Sequence, residues 1–453
     1  MNPLTLSKLA EMSRATQLAG SPESIATRIC KDTREILPGD LYVALRGERF
    51  DGNLFLAEAA SKGAAGALCD AEVPAGLPRD FGILYTPDSQ TGLTMLASAW
   101  RDLLSARAVV VTGSSGKTST KDFTAAVLGK RFRVSSTVGN LNNQIGLPLS
   151  ILAAGLEDQV GVWEIGMNHR GEIAPLAGLA RPEIAIITNI GTAHIEHLGS
   201  QKEIAREKGD LFERLPANGH GVITVHDEFR EELRSRTAAS ILEVGCEAGE
   251  LRATKITHDL EGSRFEIEGA FGRSEAYLPV PGRHMITNSL LAVGAGLLCG
   301  VPLQECVAAL SSTRLAAGRL NRMEKRGVIL IDDTYNANPE SMVAALETLA
   351  ALPRTGRKIA VLGKMGELGS HAHEGYGRVG AVAAGTLDML LCVGSEASEM
   401  AVTANAAGLR DVTSVPDNVA AAAMISSIAK QGDVVLLKAS RSARMEEVLN
   451  NFA

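Results

Sequence analysis

Continuous apolar strands alternate with helix-competent segments through the middle of the chain. The strands read AVVVTG (108–113), GVWEIG (161–166), EIAIITNIG (183–191) and HGVITVHD (220–227), and glycine interrupts or bounds each of them. Strands without polar alternation are buried on both faces, and the helices between them cover those faces. The pattern therefore predicts a central α/β domain with a mostly parallel sheet over residues 105–313.

Two segments with other patterns of secondary structure flank this central part. Residues 314–453 contain a second alternating run, with strands GVILIDD, RKIAVLG, DMLLCVG and DVVLLKAS, each followed by an alanine-rich segment. This run predicts a smaller, doubly wound α/β domain. Residues 1–104 mix short strands with helices around a Pro-Gly turn, and residues 251–281 resemble short antiparallel strands. We therefore expect an α/β protein of three domains, 1–104, 105–313 and 314–453.

The stretch VVVTGSSGKTSTKDF looks like a phosphate-binding loop that departs from the common pattern. That pattern is G-x-x-x-x-G-K-[ST], and its first glycine would stand at the position of Val111. The loop is instead shorter, because Gly113 lies only three residues before Gly116. The spacing leaves open a damaged nucleotide site, a chance match or a variant loop.

The context of the loop favours nucleotide binding. It follows an apolar strand and precedes a helix, so the positive end of the helix dipole faces a bound anion. Gly113 and Gly116 let backbone N–H groups approach phosphate oxygens. Lys117 can reach the terminal phosphates, and the Thr118 hydroxyl can hold Mg²⁺. The other Gly-Lys pairs, at 129–130 and 363–364, are not followed by Ser or Thr.

Four more residues could carry chemistry. Glu164 ends a strand of the predicted parallel sheet, where ligand groups gather, and it could complete a Mg²⁺ shell or simply lie on the surface. His194 and His197 lie three residues apart, but without H-E-x-x-H or a nearby cysteine they do not indicate zinc. Lys208 lies among acidic residues, and this surrounding could mark a functional lysine. The same pattern is typical of a solvated helix face with ion pairs.

Composition excludes several classes of protein. With 45 basic and 52 acidic residues the formal net charge is −7, and no basic cluster of the kind that binds nucleic acid stands out. The six cysteines are scattered and form no C-x-x-C pair, which fits a reducing compartment. The N-terminal segment lacks the apolar core of a signal peptide. We therefore expect a cytoplasmic protein with neither nucleic acid nor membrane as partner. We also expect a monomer, although composition does not bear on that expectation.

Four segments are similar to motifs of the Mur ligases of peptidoglycan synthesis. They are TGSSGKTS, EIGMNHRGEI, GTAHIEHLGS with the EKGDLF that follows it, and DDTYNANPESM. The resemblance spans almost the whole chain, from DTREILPGDLYVAL to SRSARMEEVL. The loop of that family has the form T-G-x-x-G-K-[ST], so the resemblance implies that the short loop is intact.

The resemblance implies a role for each matching residue. The ATP-binding residues would be Gly113, Ser114, Ser115, Gly116, Lys117, Thr118, Asn288, Arg319 and Asp333. The magnesium ligands would be Thr118, Glu164, His194 and Lys208, the last carbamoylated by CO₂ because an ammonium cannot bind a cation. Lys117, Lys208, Glu164 and His194 would form the catalytic group. The substrate residues would be Thr33, Arg34, Asn140, Asn142 and Asn143.

The resemblance also implies the activity and the architecture. The enzyme would use ATP and Mg²⁺ to join D-alanyl-D-alanine to a UDP-N-acetylmuramoyl-tripeptide, with roles in cell-wall synthesis, cell shape and cell division. Residues 1–104 would bind UDP, residues 105–313 would form a P-loop ATPase-like domain, and residues 314–453 would form a Rossmann-like domain that binds the dipeptide and closes over ATP.

Two alternatives to this activity remain open. The chain could be another amide ligase of the superfamily, such as the enzyme that adds the third peptide residue or a folylpolyglutamate synthase. It could also be a nucleotide-binding assembly factor without ligase activity. Two positions depart from the family pattern, namely Ala439 where glycine is general and Met285 where asparagine is common. His194 also departs from the oxygen ligands that Mg²⁺ prefers.

Overall fold

The computed structural model describes residues 1–452. In the first 104 residues the elements are β1 (Leu4–Thr5), α1 (Leu6–Ser13), β2 (Thr16–Ala19), β3 (Ile25–Ala26), β4 (Arg28–Cys30), β5 (Asp40–Val43), β6 (Arg46–Gly47), β7 (Phe50–Asp51), α2 (Leu56–Ser61), β8 (Gly66–Cys69), β9 (Gly82–Tyr85) and α3 (Ser89–Leu103).

The elements that follow, as far as residue 313, are β10 (Arg107–Thr112), α4 (Lys117–Leu128), β11 (Val134–Ser136), α5 (Gly146–Ala153), β12 (Val160–Glu164), α6 (Ile173–Ala180), β13 (Ile184–Ile187), α7 (Ile195–Leu198), α8 (Gln201–Glu213), β14 (His220–Thr224), α9 (Arg230–Arg234), β15 (Ser240–Cys246), β16 (Leu251–His258), β17 (Ser263–Gly269), β18 (Gly272–Leu278), α10 (Arg283–Leu298) and α11 (Leu303–Leu310).

The last elements are β19 (Asn321–Lys325), β20 (Val328–Asp332), α12 (Pro339–Ala351), β21 (Lys358–Leu362), α13 (Ala372–Thr386), β22 (Met389–Val393), α14 (Ser398–Ala406), β23 (Val412–Val415), α15 (Asn418–Ile428), β24 (Val434–Lys438) and α16 (Glu446–Asn450). Parallel strands alternate with helices through most of the chain, and the predicted α/β class is confirmed.

The described chain divides into two compact units. The first comprises residues 1–110, 131–166 and 172–183, and the second comprises residues 111–130, 167–171 and 184 onward. Strand β10 carries the chain from the first unit into the second. The division into three domains at 104/105 and 313/314 stays a prediction.

The first unit is built on a mixed sheet of five strands in the order β2-β9-β8-β5-β4. Strands β4, β5, β8 and β9 are parallel to their neighbours, and β2 runs antiparallel to β9. Its core includes Tyr42, Leu56, Cys69, Phe81 and Ile83, which are apolar residues from strands and from helix α2. A further parallel pair, β11 with β12, ends at Glu164.

In the second unit, strands β13 to β16 lie side by side in chain order and are parallel. Strands β17 and β18 continue the sheet antiparallel to β16 and to each other. The predicted antiparallel segment at 251–281 is therefore confirmed, although its strands are seven or eight residues long and not short.

The same unit contains a sheet of six strands in the order β19-β20-β24-β21-β22-β23. All neighbours from β20 to β23 are parallel, and only β19 is antiparallel, to β20. Helix α12 begins at Pro339 after a capping box in which Asn338 and Ser341 bond each other's backbone. The loop between β20 and α12 thus leaves the sheet at the carboxyl ends of its strands, where α/β folds bind ligands.

None of the helices formed by residues 1–452 combines the length and the apolar character that a membrane crossing requires. The six cysteines are buried, and none of them forms a disulfide.

Candidate nucleotide and metal site

The loop between β10 and α4 requires glycine at two positions. Gly113 has a φ of +148° and Gly116 a φ of +77°. A Cβ atom at Gly113 would lie 1.8 Å from Thr188 Oγ1, and one at Gly116 would lie 2.6 Å from Asn288 Oδ1. Val111, where the common pattern has its first glycine, is a fully buried residue of β10. The chain therefore forms a complete, tightly packed short loop.

Residues directly after β13 hold this loop in place. The Ser114 N–H donates to the Asn189 carbonyl at 2.9 Å, and the Ser115 N–H donates to Asn189 Oδ1 at 2.9 Å. Thr188 Oγ1 donates to the Ser115 carbonyl at 2.5 Å. The sequence analysis did not single out Thr188 or Asn189. Their position directly after a buried strand was the available signal.

Lys117 and Thr118 begin helix α4 at the end of the loop. Lys117 Nζ donates to the Gly113 carbonyl at 2.8 Å, so the lysine folds back across the loop. No side chain caps the N-terminus of α4, and a helix N-terminus attracts anions. Thr118 is 8% exposed. The structure thus brings the predicted phosphate-binding residues together at one helix end.

Asn288 lies in helix α10, beside Gly116. It is buried, and its Nδ2 donates to Met285 Sδ at 3.8 Å. A thioether sulfur is a weak acceptor, so Met285 competes little for the Asn288 amide. The departure from the family pattern at Met285 therefore leaves Asn288 able to bind a nucleotide, and its predicted place near the adenine stays a prediction.

Lys208 is fully buried in helix α8. Its Nζ has no hydrogen-bond partner among residues 1–452. Burial lowers the pKa of Lys208 well below its usual value, the charge of Lys117 lowers it further, and Glu207 opposes the shift. The solvated helix face considered from the sequence is therefore wrong for this residue. A buried, neutral amine is the form that can react with CO₂.

Glu164 is 1% exposed at the end of β12. Asn142 Nδ2 donates to Glu164 Oε1 at 2.7 Å. The backbone N–H of Glu164 donates to Thr137 Oγ1 at 3.0 Å. Its Oε2 is buried and accepts no hydrogen bond from the described residues. The interpretation of Glu164 as a surface residue is therefore wrong. Asn142 contacts this carboxylate, whereas its role at the muramoyl-peptide site stays a prediction.

His194 adopts a left-handed backbone conformation, with a φ of +66°, directly before helix α7. Its Nδ1 contacts the carboxylate of Glu367, in the loop that follows β21. Burial lowers the pKa of His194, and the hydrogen bond with Glu367 opposes this shift. Glu367 was not predicted from the sequence. Its neighbour Gly366 belongs to a glycine-rich stretch, which was the only local signal.

Arg319 and Asp333 lie near the carboxyl ends of the six-stranded sheet. The Arg319 guanidinium carbon lies 4.2 Å from the ring centroid of Tyr335, a cation–π contact. Arg319 Nε is buried without a hydrogen-bond partner among residues 1–452. Asp333 Oδ2 accepts a hydrogen bond from Lys438 Nζ at 2.6 Å. Tyr335 and Lys438 were both missed from the sequence.

The predicted substrate residues all lie in the first unit. Thr33 and Arg34 form a single 3₁₀ turn that is capped by Asp32. Arg34 pairs with this carboxylate and lowers the pKa of Asp32 to about 2. Asn143 Oδ1 accepts from the Gly146 N–H at 2.9 Å and so shapes the turn before α5. Asn140 is exposed.

The side chains of the predicted magnesium ligands can be compared with the ligands that a magnesium ion requires. Within residues 1–452, no three His, Cys, Asp or Glu side chains converge as a metal site by themselves. The predicted set includes a hydroxyl, at Thr118, and it gains a second carboxylate-like group only when Lys208 is carbamoylated. Lys208 Nζ and Glu164 Oε2 are buried polar atoms without partners. A carboxylate oxygen of this kind suits a cation, and a carbamate on Lys208 would add oxygen ligands of the same chemistry.

Comparisons with known families cover most of the chain. Residues 111–296 match the Mur ligase middle domain, and residues 318–441 match the glutamate ligase domain of Mur ligases.

Several relatives match this chain over nearly its whole length. The UDP-N-acetylmuramoyl-tripeptide–D-alanyl-D-alanine ligase of Escherichia coli (strain K12) is 35% identical over 99% of this chain and 98% of its own length. A crystal structure of MurF from Acinetobacter baumannii has a TM-score of 0.91 at 31% identity, covering 100% and 99% of the two chains. MurF from Thermotoga maritima in complex with ADP has a TM-score of 0.83 at 30% identity, covering 94% and 96%.

Proposed function

This chain belongs to the Mur ligase family, and we propose that it joins D-alanyl-D-alanine to a UDP-N-acetylmuramoyl-tripeptide at the expense of ATP, in peptidoglycan precursor synthesis. The observation that carries the proposal is similarity over the full length, 99% of this chain, to an enzyme of that name. Similarity confined to the middle domain would support ATP use alone. The fully buried Lys208, without a hydrogen-bond partner among residues 1–452, supports a ligase over a simple nucleotide-binding factor.

The reaction has two steps. The tripeptide carboxylate attacks the γ-phosphoryl group of ATP and gives an acyl phosphate and ADP. The dipeptide amine then attacks the acyl carbon, and phosphate leaves. Both reactants of the first step are anions, so stabilisation of negative charge dominates the barrier.

The ATP-binding loop contributes to this stabilisation in two ways. The uncapped N-terminus of α4 attracts the phosphates. Lys117 Nζ, which donates to the Gly113 carbonyl at 2.8 Å, exchanges this partner for the terminal phosphates. Thr188 and Asn189 keep the loop in shape, since they bond the Ser115 carbonyl and N–H and not the phosphates.

Thr118, Glu164, His194 and carbamoylated Lys208 are the proposed Mg²⁺ ligands. When bound, Mg²⁺ supplies positive charge to the phosphate oxygens. The chain supplies the carbamate at Lys208, where burial lowers the pKa and so favours the uncharged amine. Asn142 orients Glu164 through its bond to Oε1, so the unpartnered Oε2 remains for the cation.

Each of the three predicted domains has its own binding role. Residues 1–104 hold the UDP moiety through Thr33 and Arg34, and Asn140, Asn142 and Asn143 contact the muramoyl peptide. Residues 105–313 bind ATP. Residues 314–453 bind the dipeptide and close over ATP with Arg319 and Asp333. Binding energy from the remote UDP group then positions the carboxylate for attack. A cytoplasmic location, a monomeric state and a role in cell division stay predictions.

A phosphate-release assay over a panel of substrates tests the proposal. We expect release only when ATP, a UDP-N-acetylmuramoyl-tripeptide and D-alanyl-D-alanine are all present. Release with a UDP-muramoyl-dipeptide and a diamino acid would instead identify a third-residue-adding ligase, and release with a folate and glutamate a folylpolyglutamate synthase. ADP binding without release in any combination would identify a nucleotide-binding factor.

A further inference from the structure

Lys438 is a buried cation to which the family resemblance assigns no role. It is the last residue of β24 and is 3% exposed. A buried ammonium is costly unless it is paired and hydrogen-bonded. Its Nζ donates to Asp333 Oδ2 at 2.6 Å and to the Asn336 carbonyl at 2.9 Å. Both partners lie in one loop, between β20 and α12.

The main chain joins the same loop to the same strand. The Asp333 N–H donates to the Leu437 carbonyl at 3.0 Å. Strands β20 and β24 are parallel neighbours, with Asp332 opposite Leu437. Lys438 therefore continues the pairing of the two strands beyond their ends and fixes the loop at two further points.

This loop supports two predicted nucleotide-binding residues. The Asp333 side chain is 14% exposed, and its Oδ1 accepts no hydrogen bond from residues 1–452. Tyr335 lies beneath Arg319, with its N–H donating to the Gly318 carbonyl at 3.1 Å. A displacement of residues 333–336 would move both Asp333 and the aromatic face on which Arg319 lies.

We propose that Lys438 is a positioning residue that holds Asp333 and residues 333–336 in the geometry that receives a nucleoside triphosphate. An unpaired carboxylate would repel the triphosphate, whereas the paired one leaves Oδ1 to accept from a hydroxyl or amino group of the nucleoside. The proposal rests on the proposed function, because that function supplies ATP as the ligand.

The test compares four variants of the full chain. Lys438→Met removes the charge at similar length, Asp333→Asn neutralises its partner, and the double variant removes both charges. Lys358→Met is the matched control, because Lys358 is also a buried lysine of this sheet and donates to the Ala350 and Leu352 carbonyls at 2.5 and 2.8 Å.

We expect Lys438→Met to raise the KM for ATP and the Kd for ADP about tenfold, since a hydrogen bond to a charged group is lost. The KM for the UDP-linked substrate stays unchanged. The Kd of the double variant for ADP should lie within about twofold of the Kd of Asp333→Asn alone. Lys438 acts through Asp333, so the effects of the two substitutions should not add. Lys358→Met lowers the thermal midpoint without changing the affinity for either nucleotide.

Wild-type ADP affinity in folded Lys438→Met, or an equal loss of affinity in Lys358→Met, would overturn the proposal. If Lys438→Met does not fold, the ADP affinity of the double variant tests the proposal instead. The double variant should fold, because removing both charges leaves no unpaired buried ion. A further tenfold loss in the double variant, relative to Asp333→Asn, would also overturn it. Failure of the ligase assay by the wild-type protein would refute the proposed function, while the ADP affinities would still decide the role of Lys438.

Discussion

The carboxylate of Glu340 lies 3.1 Å from the hydroxyl of Thr192, and this contact joins helix α12 to the segment that follows β13. In that segment the Gly191 N–H donates to Ser114 Oγ at 2.8 Å. Arg378 of helix α13 lies 3.5 Å from the same carboxylate. A continuous set of polar contacts therefore connects the loop between β10 and α4 with helices α12 and α13.

We expect Glu340→Ala to raise the KM for ATP about three- to tenfold, because the hydrogen-bonded connection to the loop is lost. Removal of a carboxylate from the first turn of α12 should also lower the free energy of unfolding by about 0.3–1 kcal/mol. Steady-state kinetics and thermal unfolding measure the two effects. Glu347→Ala, at an exposed position of the same helix, is the control and should change neither. Thr192→Val should reproduce the kinetic effect, and additive losses in the double variant would contradict the connection.

Lys117→Ala should lower kcat by about 10³-fold, because a charge aimed at the transferring phosphoryl group disappears. Stability should change by less than about 0.5 kcal/mol, since the lysine contacts a loop carbonyl and not the apolar core. ADP formation by purified variants measures the first effect. Lys130→Ala, just beyond the end of the same helix and exposed, should be fully active. Near-normal ADP formation by folded Lys117→Ala would refute the role of the loop.

Activity should depend on bicarbonate through Lys208. Burial lowers the pKa of Lys208 well below its usual value, and this shift favours the uncharged amine that reacts with CO₂. Lys208→Ala should be nearly inactive, and a short carboxylic acid in solution should partly restore it. Lys202→Ala, at an exposed position of the same helix, should behave as wild type. Full wild-type activity in CO₂-depleted buffer, with an unmodified lysine in a high-resolution structure, would count against the carbamate.

Arg34→Ala should raise the KM for the UDP-linked substrate about tenfold and leave the KM values for ATP and D-alanyl-D-alanine unchanged. The Arg34 side chain is 85% exposed and paired with Asp32, and an exposed ion pair of this kind contributes little to stability. The thermal midpoint should therefore stay close to that of wild type. Lys31→Ala, at the exposed position beside Asp32, is the control. A rise in the KM for ATP instead would show that residues 1–104 have another role.

The α/β class and several strands could be predicted from apolar runs alone. Strands β12, β13 and β24 are buried along their whole length, and an uninterrupted apolar run indicates such a strand directly. The lengths of β16 to β18 were not predictable in the same way, because their alternating residues also fit short turns. Their pairing with each other, over six or seven residue pairs, extends them.

The environment of the charged residues was the least predictable part of the site. From the sequence, Lys208 equally fitted a solvated helix face, and Glu164 a surface carboxylate. In the structure Lys208 is fully buried and Glu164 is 1% exposed. Residues distant in sequence bury these two side chains, so a local sequence pattern does not predict their burial.

The loop from Gly113 to Thr118 and the alternation of strands and helices follow from the local sequence, because backbone conformation and apolar periodicity are local properties. Tertiary structure alone decided that Asn189 shapes this loop, that Glu367 contacts His194 and that Lys438 pairs with Asp333. Each of these contacts joins elements that lie 74 to 173 residues apart. Their free energy depends on distance and burial in the folded state, and neither quantity exists until the sheets have formed.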